Sequence, residues 1–572
     1  MIRHKYLSML AGATFTSVIN ALLIITDSLI CGFFLGDTAV SAINLVTPVY
    51  DLCIFIAMII SLGIPILYSS ARGRFSKEEA DRIFGTGLTV CLAGGILIFI
   101  FLTLVKDSYL RHFMLSGTMS RLAGEYYSWI RFELMIMPVA EVMVETVFAD
   151  GDENCAITVA AVEASSNIIL SIILCRVMGI AGVGLASVIA VTLRLLVSLT
   201  HLLKKTNTLR MNLYFSFSVL RKDVHYALTD AGNYLFLAAF SYALNVFVAR
   251  HFHERMMIMV SVVLIVQEFQ LLFDGIGEAI TPIIGVYLSE NCFAGVRKVW
   301  RFATITCILE SFGTMLLLII LSGRIPAIVG ITDPELHRLA SWGVILMTPG
   351  MVFTCYLYLL TSYYRLLDKV ILSFGISALR DCLCIVPTAV AGGMIFGIEG
   401  VFGGTAAGAA LAFFLSILYV CRKYGKKDLP LLLNSREEGL KSYLFELEVN
   451  QEQVIRVRDS LEQTLREAGV DRKYVIRTML ILEELLMLIY EGNGQRKVLA
   501  ECALTVFPEK ITMIIRDNGV KMDLTNHDRN ISSLRAYIVP GLLAEWCHEE
   551  HHLIAVGFNR NCFDILVGSG PQ

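Results

Sequence analysis

Among the carboxylates inside long apolar stretches of this sequence or at their ends, seven are candidates for chemistry: Asp27, Glu133, Glu141, Glu145, Glu268, Asp274 and Glu278. An ionised Asp or Glu at the centre of a bilayer costs roughly 2.5–3.5 kcal/mol, so each needs a counter-charge, water or a proton. The chemistry open to such groups is reversible binding of a proton or a metal cation. Glu133, Glu141 and Glu145, eight and four residues apart, lie near one helix face. Arg131 adjoins them in sequence and Arg194 lies further on, so these acids read either as the wall of a hydrated cavity or as structural ion pairs. Glu278 follows Asp274 by one turn and, with Glu268, makes a second cluster suited to a cationic substrate or sodium. Arg380-Asp381 reads as a mutually neutralising pair. Asp27, some 20 residues into the first stretch, is either a solvated group at the outer end of a span or a carboxyl whose protonation rearranges its hydrogen bonds. Tyr234, Phe236, Phe240 and Tyr242 supply aromatic surface for a cavity or for packing.

The elements that carry these groups must lie in a membrane. The chain has 572 residues, 56% hydrophobic and only 17% charged, with a mean hydropathy of +0.67; soluble chains are about 25% charged. That excludes a disordered, collagenous or nucleic-acid-coating protein, and the net charge of -3 gives no reason to expect a nucleic acid partner. Twelve stretches can cross a bilayer at about 20 residues each: 7–26, 38–68, 83–105, 124–145, 157–175, 180–203, 231–249, 256–288, 302–322, 339–364, 370–396 and 400–421. The first is not expected to be a cleaved signal peptide, because further spans follow it. From Ser435 to Gln572 the chain carries 37 charges in 138 residues, against 60 in the other 434, which marks a water-facing tail. Fourteen cysteines show no zinc-type spacing and read as small core residues. His548, His551 and His552 read as a surface strand edge rather than a metal cluster.

Basic residues set the orientation. Arg3 and Lys5, the group Arg72, Arg74, Lys77 and Arg82, then Lys204, Lys205, Arg210, Arg221 and Lys222, then Arg297, Lys298 and Arg301, and finally Arg422 to Lys427 all fall on one side if both termini are cytoplasmic. The two halves repeat. Gly179-Ile180-Ala181-Gly182-Val183 returns 218 residues later as Gly397-Ile398-Glu399-Gly400-Val401, Asp150 returns as Asp368, and Pro65 answers Pro282 at 217. Parallel repeats around a central site are a transporter architecture.

Thr26-Asp27-Ser28-Leu29-Ile30-Cys31-Gly32-Phe33-Phe34-Leu35-Gly36, followed by Ala39, Ala42 and Pro48, resembles the first-span signature of multidrug and toxic compound extrusion (MATE) transporters. Gly275-Ile276-Gly277-Glu278-Ala279-Ile280-Thr281-Pro282 resembles that family's eighth span. The resemblance covers residues 1 to about 425. It implies twelve helices in two lobes around a cavity, with proton or sodium entry driving export of amphipathic, often cationic compounds. By the same resemblance Asp27 matches the first-span carboxylate of the N-lobe cation site, and Asn167 matches the fifth-span Asn. One turn later Ser171 stands where many members have a second Asp; a hydroxyl holds no charge. Span 1 contains no proline, so a kink-based switch there is not expected.

The tail reads as α then β, with helical patterns at Val457–Ala468 and Arg472–Tyr490 and strand candidates at Val498–Phe507, Lys510–Arg516, His552–Phe558 and Cys562–Val567. The run Leu480-Ile481-Leu482-Glu483-Glu484-Leu485-Leu486-Met487-Leu488, with Ile514-Ile515-Arg516-Asp517-Asn518-Gly519-Val520, resembles the GHKL ATPase fold, and more narrowly anti-sigma-factor serine kinases. That resemblance implies adenine recognition at Asp517 and Gly519, a base or magnesium organiser at Glu484 or Glu483, and ATP with magnesium as ligand. Leu488 occupies the place of the family's magnesium-binding Asn and has no ligand oxygen. Tyr537 to Leu543 has one glycine where the phosphate lid has two. The expectation is a kept fold with lost chemistry: a regulatory or protein-binding module.

The fold class expected is an all-α polytopic membrane protein, twelve transmembrane helices in two pseudo-repeated six-helix lobes, with a C-terminal cytosolic α/β-sandwich of GHKL type. The boundaries are 1–203 for the N-lobe, 204–225 for a cytoplasmic loop, 226–421 for the C-lobe, 422–441 for a linker and 442–572 for the tail. The function expected is antiport by alternating access in a bacterial-type plasma membrane, with H+ or Na+ as coupling ion and no required cofactor. The partners are a small-molecule substrate, the bilayer and a cytosolic protein bound by the tail. The alternatives are a lipid-linked oligosaccharide flippase of the same superfamily, or a membrane sensor whose tail is a kinase.

Overall fold

The computed structural model describes residues 2–73, 76–113, 117–204, 207–252, 254–426, 429–437, 439–494, 496–520, 535–555 and 558–566. Arg74, Lys205 and Lys427, used above for orientation, and the side chains of His548, His551 and His552 lie outside the described residues. The membrane part is helical. Its first half runs through α1 (Ile2–Leu35), α2 (Asp37–Ile59), α3 (Gly63–Gly73), α4 (Lys77–His112), α5 (Gly117–Ala149), α6 (Glu153–Met178) and α7 (Ile180–Leu199). The second half has α8 (Phe217–His251), α9 (Met257–Glu268), α10 (Asp274–Ser289), α11 (Phe293–Leu321), α12 (Ile325–Ile328), α13 (Pro334–Met347), α14 (Gly350–Leu366), α15 (Val370–Ala378), α16 (Ile385–Phe396) and α17 (Ile398–Tyr424). Apolar residues remain exposed in rows along several of these, such as Ile96, Leu97, Ile100 and Leu104 on α4 and Ile308, Leu309, Phe312 and Leu316 on α11. Contiguous exposed apolar faces of this size belong in lipid.

Among the described residues, nine helical segments are long and apolar enough to cross a membrane, or ten if α13 and α14, bent by 46°, count as one. The expected count of twelve is therefore not reached on apolarity alone. Helix α5 has 33 residues, about 50 Å at 1.5 Å per residue, yet it carries Arg121, Glu125, Arg131, Glu133, Glu141 and Glu145 and is too polar to qualify. In α1, which has 34 residues, the apolar run found among the described residues is Ile25–Leu35.

The internal repeat is visible in the backbone. The spans Asp37–Arg72 and Glu254–Ser289 correspond at a displacement of 217, the first interrupted at residues 60–62 and the second by the 3-10 turn Phe269–Phe273. Gly179 (φ 65°) and Gly397 (φ 70°) take the same left-handed turn between consecutive helices, which a side chain would strain. Three residues on, a Cβ on Gly182 would sit 2.1 Å from the Leu174 carbonyl oxygen, and one on Gly400 would sit 2.0 Å from that of Gly392. Each glycine thus lets α7 or α17 fold back against the end of the preceding helix, α6 or α16.

Two compact units are distinguishable: Thr14–Gly277 with Cys307–Tyr419, and Met1–Ala13 with Glu278–Thr306 and Val420–Gln572. The second unit holds a short helix, α18 (Asn434–Glu437), and the tail: β1 (Lys441–Glu448), α19 (Gln451–Glu467), α20 (Arg472–Asn493), β2 (Leu499–Val506), β3 (Lys510–Asp517), α21 (Arg535–Trp546), β4 (Cys547–Ala555) and β5 (Phe558–Leu566). The strands make one antiparallel sheet in the order β1-β2-β3-β5-β4. Because side chains alternate along a strand, Leu447, Cys502, Leu504, Met513, Ile515 and Phe563 share one face. They form a core with Val457, Leu461, Leu465, Leu482 and Leu485 of α19 and α20. The sequence reading places no strand at β1, whose alternation of apolar and charged residues gives a weaker pattern than its neighbours. All fourteen cysteines are free.

Within the first unit, a polar latch ties the ends of three helices together. The buried His201 places Nδ1 2.7 Å from Asp152 Oδ2 and Nε2 2.9 Å from Asp150 Oδ2. Tyr68 donates to Asp150 (2.8 Å), Lys204 donates to Asp152 (2.6 Å), and the Thr208 N–H donates to Asp150 (3.0 Å). Lys204 and His201 hold the Asp152 carboxyl down at about 2. At Asp150, burial pushes upward but hydrogen bonds from Thr208, His201 and Tyr68 outweigh it, leaving the carboxyl below its ordinary value.

Two tests follow from this architecture. Gly400→Ala should lower the melting temperature of the detergent-solubilised protein, at a cost of about 1–3 kcal/mol for overpacking. Gly403→Ala, with nothing within 4 Å of its Cβ position, should be near neutral. Carboxyls with depressed folded values stabilise the fold fully above their unfolded value of about 3.9 and lose that contribution as pH falls through the folded value. Melting temperature should therefore fall between about pH 4 and pH 2, and Asp152→Asn should flatten that segment. Equal slopes in wild type and variant would exclude the latch.

Candidate ion and substrate site

Asp27 projects from α1 into a group of hydroxyls supplied by three other helices. Its Oδ2 accepts from the Tyr126 hydroxyl of α5 (3.0 Å) and from Ser187 Oγ of α7 (3.2 Å). Asn167 of α6 donates to Ser187 Oγ (3.2 Å), and so supports the carboxylate at one remove. Ser171, one turn along α6, is fully buried beside Asp27, whose Oδ1 is shut off from solvent with no partner at hydrogen-bond distance. Tyr50 of α2 donates to Glu133 Oε1 (2.9 Å), whose other oxygen is likewise buried and unbonded. Asp27 and Glu133 lie close enough for their charges to repel.

The chain thus brings together Asp27, Asn167, Ser171 and Glu133, four residues noted in the sequence. It adds Tyr126 and Ser187, with Tyr50 holding Glu133. The donors to both carboxyls are neutral hydroxyls. A buried ionised carboxylate served only by such donors keeps a large uncompensated desolvation cost. Taking up a proton or a small cation relieves that cost, and the orphan oxygens are where it would bind. Among the described residues no group of three or more His, Cys, Asp or Glu is arranged around a metal position.

The remaining acids divide between pairing and clustering. Arg194 of α7 binds both Glu141 of α5 and Glu163 of α6 (Nη1 to Oε1 3.3 Å), pinning three helices. Glu145 lies near this pair and feels the Arg194 charge. Of the two arginines available from sequence, Arg131 is not the partner: its guanidinium lies 5.3 Å over Phe99 and 5.2 Å over Phe132. Arg380 and Asp381 form the expected pair through two bonds of 2.6 Å, with the guanidinium 3.5 Å above Tyr358. They sit in a π-helical turn, Leu379–Leu383, which widens the helix at that point.

Glu268, Asp274 and Glu278 do not share one continuous helix face, because the 3-10 turn Phe269–Phe273 separates the first from the others. Glu278 is exposed and belongs to the other compact unit. Glu268 instead neighbours Asp51 of α2, a buried acid that the sequence reading passed over inside its second span. Tyr234 stands amid Glu141, Asp51, Glu268 and Asp274. The other aromatics pack: Phe240 is fully buried, Phe236 meets Phe374 at 5.1 Å and Tyr242 stacks on His112.

In the tail, the residues aligned with a nucleotide site are engaged internally. Asp517 Oδ1 accepts from the Gly519 N–H and from Asn559 Nδ2, both at 2.9 Å. A Cβ on Gly519 would lie 2.6 Å from the Asn493 amide, so glycine there permits the close approach. Asn493 in turn accepts from the Val520 N–H (2.6 Å). Glu483 accepts from Arg458 (3.3 Å), and Glu484 lies 3.6 Å from Arg535. Residues 521–534, next to the expected lid, lie outside the described residues.

Repeated helical halves with carboxyls buried among them define a multi-pass helical membrane protein. Residues 13–173 match the MatE family model. No curated protein matches the chain. Solved structures share its fold. One is the inward-facing conformation of a multidrug resistance MATE family transporter of the MOP superfamily, with 18% identity and a TM-score of 0.65 over 70% of this chain and 93% of that one. The MATE multidrug transporter DinF-BH, solved as a ligand complex, has 20% identity and a TM-score of 0.61 over 74% and 96%. A MOP superfamily transporter from Pyrococcus furiosus has 16% identity and a TM-score of 0.60 over 73% and 95%. The membrane part therefore has the fold of the MATE multidrug transporters, with that family's sequence pattern over residues 13–173.

Proposed function

We propose that the chain is a secondary exporter of amphipathic or cationic small molecules, driven by inward H+ or Na+ movement. In this reading α1 and α5 join the ten apolar crossings to make twelve, in two six-helix lobes, with both termini cytoplasmic in a bacterial-type plasma membrane. The observation that carries the reading is the Asp27 group: a membrane-embedded carboxyl with one oxygen bonded to neutral hydroxyls and the other unbonded. Protonation would turn an acceptor-only group into a donor, with the Ser171 hydroxyl beside it as an acceptor. That exchange of hydrogen bonds would bias α1 against α5, α6 and α7, which is how one ion could shift a two-state helix bundle.

The acids around Tyr234 favour a cationic cargo. A flippase of the same superfamily, which must hold a pyrophosphate, calls for unpaired cations in that region. The embedded Arg194 and Arg380 are each committed to carboxylates. The tail is read as a GHKL-like layer that keeps its fold without turnover and regulates transport or binds a cytosolic protein. Leu488 and the internally bonded Asp517 support that over a kinase.

Ethidium loaded against inverted vesicles, with proton and sodium gradients imposed separately, tests the exporter. Asp27→Asn should abolish gradient-driven uptake while the protein still inserts; unchanged uptake removes Asp27 from the mechanism. The full-length protein given ATP and magnesium should release phosphate no faster than its Asp517→Asn variant. Clear turnover lost in that variant would overturn the regulatory reading of the tail.

A further inference from the structure

The tail sheet has a second face, on which two polar rows flank an apolar one made of Leu444, Ala503, Ile514 and Cys562. One cross-strand row runs Glu446, Glu501, Arg516, Arg560, each residue directly opposite the next in register. The row is acidic at the β1 end and basic at the β5 end. A parallel row on the same face holds Ser442, Thr505, Thr512 and Asp564. In a free tail this face would be hydrated. Here Arg516 is 4% exposed and Glu501 2%.

What covers them is the turn between α10 and α11, with the first residues of α1, all in the same compact unit as the sheet. Charges match along the row. Lys298 of α11 donates to Glu446 (2.5 Å), as does the Ile2 N–H (2.8 Å). Glu290, at the end of α10, binds both Arg516 and Arg560 (Oε1 to Nε 2.8 Å). Between them the Tyr287 hydroxyl donates to Glu501 (2.8 Å), and the Arg516 guanidinium lies 5.1 Å from the Tyr287 ring. Backbone joins in: Thr505 Oγ1 donates to the Asn291 carbonyl (3.3 Å), and the Ala294 N–H donates to Ser442 Oγ (2.9 Å). Asn291 takes a left-handed conformation (φ 54°) at this turn, a backbone Asn tolerates better than most residues.

Buried ion pairs of this kind add little over an apolar contact but are costly to break singly, so their main effect is to fix one partner and one register. We propose that the polar face of the tail sheet is a docking surface for the chain's own α10–α11 turn and amino-terminal residues. Docking ties these helix ends into one body and so brakes the transport cycle. The brake rests on the exporter reading above; the docking does not.

Disulfide trapping in the full-length protein in membranes decides both parts. Ala294→Cys with Ser442→Cys should cross-link under mild oxidant, with Ser442→Cys alone as the control for native Cys292. Ethidium uptake into inverted vesicles should fall at least fivefold on cross-linking and recover on reduction. Glu290→Lys, which sets like charge against Arg516 and Arg560, should cut the cross-link yield several-fold and raise uptake at least twofold. Lys298→Ala, at the half-exposed rim, should act in the same direction by less. Absence of the cross-link in the full chain overturns docking, and a cross-link that leaves uptake unchanged overturns the brake. If the unmodified protein moves no ethidium under either gradient, the exporter reading fails and the brake with it. The cross-link still decides docking.

Discussion

Charge in a membrane interior has to be answered, and the answers differ among the buried groups of this chain. Arg194 is answered by Glu141 and Glu163, Arg380 by Asp381, and Arg516 by Glu501 and Glu290. Asp27 and Glu133 are answered only by tyrosine and serine hydroxyls, with an oxygen left over on each. Paired groups are structural, since removing either partner strands the other. Carboxyls without a cation are the ones whose charge state is free to change with conditions. That contrast separates the paired groups, which hold helices together, from the carboxyls that have no counter-charge.

The same constraint shapes the helices. α5 is too polar to be a membrane span on composition, and its polarity is the reason the site exists. It supplies Tyr126 and Glu133 to the carboxyl group and Glu141 to Arg194. The two left-handed glycines at Gly179 and Gly397, with the tight contacts of Gly182 and Gly400, place α6 with α7 and α16 with α17 in equivalent back-folded pairs. In the first of these pairs, Asn167 and Ser171 on α6 and Ser187 on α7 are brought to the same carboxyl. Repetition of a backbone device has thus been combined with divergence of the side chains it carries, because the second pair has Ile385, Ala389 and Thr405 where the first has Asn167, Ser171 and Ser187.

The tail extends the argument outside the membrane. Its apolar face follows from alternation within each strand, and its core with α19 and α20 is of the ordinary two-layer kind. Its polar face is covered by segments more than 140 residues distant in sequence, through charges complementary in order along the row.

Much of this was legible in the residues. Apolar runs coincide with most of the long helices, the charge shift near Ser435 precedes the first strand of the sheet, and the repeated glycines coincide with like turns at Gly179 and Gly397. Asp27 stood out because an acid in an apolar run is expensive. Arg380-Asp381 could be paired on adjacency alone. Partners far apart in the chain could not be read that way. Spacing left Arg131 and Arg194 equal, and only packing assigned Arg194 to Glu141 while Arg131 turned to Phe99 and Phe132. Spacing joined Glu268 to Asp274, but a 3-10 turn broke the helix between them and Asp51 became the neighbour. Sequence records the cost of a buried charge, since that cost is local to the residue and its run. Which group offsets it is decided by where helices meet, and that depends on contacts no linear pattern contains.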